Sequence, residues 1–246
     1  MKTVIALDLG TTGNRAIAFS KDGKILASAY EEFTQHFPKP AWVEHDPIEI
    51  WNTSKSVLEK VAHQVGVENI ESIGITNQRE TTILWNKTTG QPVYNAIVWQ
   101  CRRTSDYCNS LSDHHALIKS KTGLFLDPYF SATKIKWILD NAPNTKPLIE
   151  NNELLFGTVD TWILWKLTKG KAHLTDPSNA SRTMLYNIHT HTFDPELLTL
   201  FEIPNDILPS VKPSQGEFGT IDNSILGKEI PITAMIGDQQ SALFSQ

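Results

Sequence analysis

The chain has 246 residues, with 22 lysines and arginines against 27 aspartates and glutamates, a formal net charge of -5. Its basic residues are scattered and form no stripe, which argues against a nucleic-acid surface, and no stretch approaches the roughly 18 apolar residues of a membrane helix. The first apolar run, Thr3 to Leu7, is broken by Asp8 and is too short for a secretory signal, so small-molecule or protein partners and a cytoplasmic location are expected.

Residues 3 to 8, 15 to 20 and 24 to 31 are apolar or β-prone runs separated by Gly10 to Gly13 and by Asp22-Gly23, which predicts an antiparallel meander. Asp46 with Pro47 then reads as a helix start, and Trp51, Leu58, Val61, Ala62 and Val65 recur at helical spacing until Gly66. Ile70 to Thr76 reads as a buried strand ending in the polar cluster Asn77-Gln78-Arg79-Glu80, and Thr81 to Trp85 and Ala96 to Trp99 are further β candidates. Cys101 and Cys108 flank the opening of a helix, too far apart along it for a disulfide, and are expected as free thiols.

Ser131 is expected to cap a helix through Asp140 that Pro143 ends. Residues 153 to 156 read as a short strand and the nearly all-apolar 160 to 167 as a buried helix. The proline- and glycine-rich segment 203 to 231 reads as loop, followed by a last strand, Ile232 to Ile236, running into Gly237-Asp238. Asp238 reads as the N-cap of a helix whose apolar pattern stops at residue 246, so the chain is expected to be the front half of a longer protein. Strands and helices that alternate after an opening meander predict an α/β fold, a mixed sheet covered by helices.

Three strand ends carry charge or hydroxyl: Asp8 with Thr11 and Thr12, Arg79 with Glu80, and Asp238 with Gln239. In α/β folds such ends assemble sites. The turn Gly10-Thr11-Thr12-Gly13 can expose main-chain amides to phosphate oxygens, although a Thr- and Gly-rich hairpin turn without a ligand has the same composition. The chain contains no G-x-x-x-x-G-K-[ST], no G-x-G-x-x-G and no protein-kinase catalytic loop. Phosphate chemistry would therefore have to use the hairpin. The histidines, His45, His189 and His191 among them, show no metal-ligand spacing and read as structural.

The hairpin Asp8 to Arg15, then Gly74-Ile75-Thr76-Asn77-Gln78-Arg79-Glu80-Thr81-Thr82, Ala96-Ile97-Val98-Trp99-Gln100-Cys101-Arg102-Arg103, Asp127-Pro128-Tyr129-Phe130-Ser131, Gly157-Thr158-Val159-Asp160-Thr161-Trp162 and Gly237-Asp238-Gln239-Gln240 stand in one order along the chain. In that order they resemble the glycerol kinases, within the carbohydrate kinases of the actin and Hsp70 ATPase superfamily. The resemblance implies an actin-like ATPase domain with a ribonuclease-H-like five-stranded mixed sheet. It implies ATP-dependent phosphorylation of glycerol to glycerol 3-phosphate, with Mg2+ as cofactor. Residues 1–246 would be the N-terminal, glycerol-binding domain, with the nucleotide-binding domain absent from this chain.

Carried over by the same resemblance, Arg79, Glu80, Trp99, Tyr129, Asp238 and Gln239 fall on glycerol-binding positions. Thr11, Thr12, Gly13 and Arg15 fall on the phosphate hairpin, and Asp8 on the magnesium position. Asp238 is the implied general base, because a neutral hydroxyl needs a carboxylate to take its proton. Where several relatives have serines this chain has Gly13 and Asn14, so main-chain amides or Asn14 would have to replace a lost hydroxyl donor. The loop Asn223 to Glu229 lacks both the glycine- and arginine-rich pattern and the histidine through which some relatives are regulated, which speaks against such control here. The resemblance leaves room for a homo-oligomer in the intact enzyme. Two other readings stay open: a kinase for another polyol or sugar, and a non-catalytic nucleotide-dependent binding module.

Overall fold

The computed structural model describes residues 2–246. Its opening meander consists of β1 (Thr3–Leu9), β2 (Gly13–Ser20) and β3 (Ile25–Glu32), antiparallel to one another. Buried and exposed positions alternate along β1, where Ile5, Leu7 and Leu9 are fully buried, as a half-buried strand of period two requires. Helix α1 (Pro47–Val65) follows. The Asp46 carboxylate accepts from the Ile48 amide at 2.7 Å and Pro47 occupies the first turn, so the Asp-Pro start forms as the sequence predicts. Its buried stripe of Ile50, Val57, Leu58, Val61 and Ala62 packs on the meander.

Strand β4 (Ile70–Asn77) runs parallel to β1, and the short β5 (Ile83–Asn86) and β6 (Leu154–Gly157) pair antiparallel in a separate ladder. Helices α2 (Ser131–Asn141), α3 (Val159–Leu167) and the one-turn α4 (Pro177–Ala180) follow. The chain then returns through β7 (Gln215–Ile221) and β8 (Ile230–Gly237) to α5 (Asp238–Phe244). The main sheet has the order β7-β8-β4-β1-β2-β3. Five of its strands are the expected mixed sheet. The sixth, β7, lies in the stretch expected as loop: Phe218 and Ile221 bury fully and outweigh the proline and glycine content.

Two other local expectations change. Ser131 does not cap its helix. Phe130 holds the N-cap position without a side-chain bond, and the Ser131 hydroxyl instead donates to the Glu80 carbonyl at 3.1 Å. Asp238 is not an N-cap either, since Gly237 holds that place and Asp238 is the first helical residue. Cys101 and Cys108 are free and buried, and burial pushes the Cys108 thiol up to about 11.

The apolar interior forms two clusters. One lies between the sheet and α1 and α3, around Ile5, Leu7, Val57, Ile73 and Trp162. The other gathers β5, β6 and α2 around Leu84, Ile97, Phe130, Ile135 and Phe156. Among the described residues no helix is long and apolar enough to cross a membrane.

Candidate active site

Because β1, β4 and β8 are parallel, their carboxyl ends share one edge of the sheet. Leu9 and Gly237 both lie opposite Asn77, and Asp8 and Ile236 both lie opposite Thr76. Asp8, the 77–80 cluster and Gly237-Asp238 are thereby brought together from three distant parts of the chain, as expected where ligands bind in α/β sheets. Trp99 and Tyr129 reach the same edge from the second apolar cluster.

The β1–β2 turn closes tightly, with the Gly10 amide donating to the Gly13 carbonyl at 3.1 Å. A Cβ on Gly13 would lie 2.6 Å from the Glu31 carbonyl oxygen and 2.7 Å from the Tyr30 hydroxyl, so the passage of β3 requires glycine there. Asn14 cannot supply the missing phosphate donor. It is fully buried and turned toward α1, donating to the Ile50 carbonyl at 3.0 Å, Thr53 Oγ1 at 2.7 Å and Ser54 Oγ at 3.0 Å. Thr12 is exposed, with its hydroxyl 3.4 Å from that of Tyr30, and Arg15 lies over the Tyr30 ring at 5.3 Å. The turn is pinned from two sides. Gln78 Nε2 donates to the Gly10 carbonyl at 2.9 Å, and Gln35 Nε2 to the Thr11 carbonyl at 3.0 Å.

Asp8 lies opposite Arg15 across the hairpin. Burial raises its carboxyl above the usual aspartate range; Arg15 pulls it down and Asp238 pushes it up, so Asp8 and Asp238 share one electrostatic neighbourhood. Arg79 Nε donates to Asp238 Oδ1 at 3.1 Å, and Arg79 Nη1 to Gln240 Oε1 at 3.2 Å. The Gln239 amide also donates to Asp238 Oδ1, at 2.7 Å. Among the described residues, Oδ2 of Asp238 has no hydrogen-bond partner. A Cβ on Gly237 would come within 2.5 Å of Arg79 Cδ, so glycine at the end of β8 makes room for the Arg79 side chain. The Gln239 side chain is exposed and makes no contact with the other candidates; Gln240 meets Arg79 instead.

Glu80 is buried at 1% exposure and holds φ +61°, a left-handed conformation uncommon outside glycine. Its carboxylate accepts from Arg182 Nε at 2.6 Å. Burial pushes this carboxyl up, while Arg182, Arg79 and Lys134 pull it down. Trp99 Nε1 donates to Thr11 Oγ1 at 3.0 Å, tying the aromatic wall to the hairpin, and its ring lies 5.5 Å from that of Tyr129. Arg182 stands over Tyr129 at 5.7 Å and Phe130 at 4.9 Å.

Behind this edge lies a buried polar network. Asn77 and Asn179 exchange amide hydrogen bonds at 2.9 and 3.1 Å, and Asn179 also donates to Asp176 at 2.9 Å. Asp176 accepts from Ser178 and Ser214 at 2.6 Å each, and the Ser178 hydroxyl accepts from the Gly237 amide at 2.7 Å. Asp160 accepts from Thr158 and Thr175, and burial raises its carboxyl to about 6. Sequence reasoning missed Arg182, Gln240 and this network. A signal was present: Asp176-Pro177 repeats the helix start of Asp46-Pro47, and that turn aims Asn179 at Asn77 and places Arg182 just beyond it.

The N-terminal-domain model of the FGGY family of carbohydrate kinases matches residues 3–245. The chain belongs to that family. It is 55% identical to the glycerol kinase of Shewanella baltica strain OS185 and 56% identical to that of Aquifex aeolicus, in each case over 100% of this chain and 50% of the relative. The chain thus spans about half the length of the curated relatives it matches. The crystal structure of Plasmodium falciparum glycerol kinase with ADP superposes with a TM-score of 0.93 at 36% identity, covering 98% of this chain and 49% of that one. A xylulose kinase from Rhodospirillum rubrum, at 20% identity and a TM-score of 0.88 over 99% of this chain and 50% of that one, shows the fold alone.

An apolar cavity of about 830 Å3 beside β7, β8 and Phe244 is lined by none of the candidate residues. The candidate polar groups converge on the open sheet edge and not in this cavity.

Proposed function

We propose that this chain is the glycerol-binding domain of a glycerol kinase, which transfers the terminal phosphoryl group of ATP to a terminal hydroxyl of glycerol and forms glycerol 3-phosphate. The observation that carries the reading is the convergence of Arg79, Glu80, Trp99, Tyr129 and Asp238 on the sheet edge that also holds the hairpin, with Oδ1 of Asp238 fixed by Arg79 and Oδ2 open. The names of the half-covered relatives support the same substrate.

Glycerol offers three hydroxyls and little apolar surface, so its recognition needs charged partners inside walls that exclude water. Glu80, paired with Arg182, would accept from glycerol hydroxyls, and Arg79 would donate to them. Trp99 and Tyr129 would close the sides. Oδ2 of Asp238 would take the proton of the attacking hydroxyl as its oxygen bonds to phosphorus, a role that contributes about a hundredfold to ten-thousandfold in rate. The amides and hydroxyls of Thr11 and Thr12, with Arg15, would receive phosphate oxygens.

The donor set suits magnesium. Asp8 is a partly buried carboxylate that shares its neighbourhood with Asp238 and with the cation Arg15, and Mg2+ typically takes one or two carboxylates together with waters and phosphate oxygens. When bound there it would neutralise charge on the transferring group. On this reading the adenine wall belongs to the half of the relatives' length that this chain does not span, so the 246-residue chain binds glycerol without turning it over.

The test is Asp238→Asn in the intact protein. Transfer should fall by about a hundredfold or more while glycerol still binds. Unchanged transfer would remove Asp238 as the base.

A further inference from the structure

Lys134 is the one lysine among the described residues with no exposed surface that stands beside the candidate site, and the mechanism above gives it no task. It lies in the N-terminal part of α2 and is fully buried. Its ammonium donates to the carbonyl of Tyr129 and, at 3.3 Å, to the carbonyl of Glu80. No carboxylate lies within salt-bridge distance of it among the described residues. A buried cation satisfied by main-chain oxygens alone is costly to maintain, and burial lowers its ammonium to about 7.

The carbonyls it bridges belong to the two residues whose placement defines opposite sides of the proposed glycerol site. The Glu80 carbonyl also receives Ser131 Oγ at 3.1 Å and Thr82 Oγ1 at 3.1 Å, so three donors converge on one oxygen of a residue held at φ +61°. A non-glycine residue in that conformation is strained and persists only where its surroundings over-determine it. Two of the three donors, Ser131 and Lys134, come from one face of α2.

We infer that Lys134 is a positioning residue for substrate: it fixes the strained Glu80 backbone to the Tyr129 backbone, and so sets the spacing between the carboxylate and the aromatic wall that glycerol would occupy. The inference rests on the reading of Glu80 and Tyr129 as glycerol-contacting residues. The bridge itself can be measured without substrate.

The first measurement is amide hydrogen exchange on the 246-residue chain, wild type against Lys134→Met. Exchange should accelerate about tenfold or more at Thr81, Thr82 and Phe130, the scale of losing one hydrogen bond to a charged donor. The β1 and β4 amides should keep their protection. Exchange unchanged at both segments overturns the inference. Should Lys134→Met fail to fold, Lys134→Gln keeps an uncharged amide with two N–H donors on a shorter stem; exchange should accelerate in at least one of the two segments, and no change in either overturns the inference equally.

The second measurement, on the intact protein, separates positioning from mere stability. The KM for glycerol should rise about tenfold while the KM for ATP and kcat hold. A fall in kcat at unchanged KM for glycerol marks a purely structural lysine and overturns the inference. A wild-type chain that shows the exchange pattern but no glycerol binding overturns the substrate assignment and leaves the bridge standing.

Discussion

From Gly10 to Gly13 the edge of the cleft is main chain and small side chains, pinned by two neutral amides, Gln78 and Gln35. From Arg79 and Glu80 across to Lys134 and Arg182 it is buried charge around a strained backbone. On the proposed function the difference follows from the ligands. A phosphate brings its own charge and needs only oriented N–H groups, which a glycine turn supplies at little cost. A neutral polyol brings no charge, so the protein must install it and hold it in place, and that requires cations and carboxylates that compensate one another out of water. On that reading the first edge needs no serine hydroxyl at position 13, because main-chain amides and the hydroxyls of Thr11 and Thr12 would serve. The second has no such redundancy.

The largest effects are expected on the charged side. Arg182→Met leaves the Glu80 carboxylate buried without its nearest cation and should cost about 3 kcal/mol of stability, read by denaturant unfolding, together with most of the glycerol affinity. On the hairpin side, Gly13→Ala forces a Cβ against the Glu31 carbonyl and should cost about 2 kcal/mol. It should leave glycerol affinity within about twofold, since the charged edge is untouched. If Gly13→Ala abolished glycerol binding, the two edges would not be independent.

A smaller effect should come from pH. His45 holds Gln35 at 2.7 Å, and Gln35 holds the Thr11 carbonyl. Burial takes His45 from 6.5 to about 4, and His173 likewise. Both are therefore neutral in the folded chain while the unfolded chain takes up their protons below about 6.5, so their contribution is full above that pH and is lost as pH falls toward 4. Asp160, raised to about 6, works in the opposite direction: its folded form binds the proton first, so its contribution improves as pH falls through about 6. The two histidines outweigh Asp160, and from these three groups thermal unfolding should show a net loss of about 2 kcal/mol between pH 7 and pH 5. His45→Gln should flatten that loss.

The hairpin edge was legible in the sequence because its chemistry is local. Asp8, the two threonines and the flanking apolar runs are consecutive, and the Asp46-Pro47 start of α1 is written in adjacent residues. The charged edge was legible only in part. Arg79, Glu80 and Asp238 stand at strand ends and drew attention there, whereas Arg182 and Lys134 sit in segments whose local pattern shows a turn and a helix and nothing of the 102 residues separating Arg182 from its partner. Ser131 and Asp238 look like helix caps in one dimension; tertiary partners, the Glu80 carbonyl and the Arg79 guanidinium, take their side chains instead. The β7 strand was hidden for the same reason, because burial of Phe218 and Ile221 depends on a sheet edge that only β8 provides.

On the proposed function, Arg79, Glu80, Trp99, Tyr129 and Asp238 bind glycerol. This binding is tested most directly by titrating glycerol into the isotope-labelled chain and following the Trp99 indole N–H and the Glu80 and Thr81 amides by NMR. Saturable shifts of these signals are expected at millimolar glycerol, on the order of a millimolar Kd, with their loss in Glu80→Ala and β1 signals unmoved. Signals that stay unmoved in the wild-type chain at saturating polyol, or that move equally in Glu80→Ala, would contradict it.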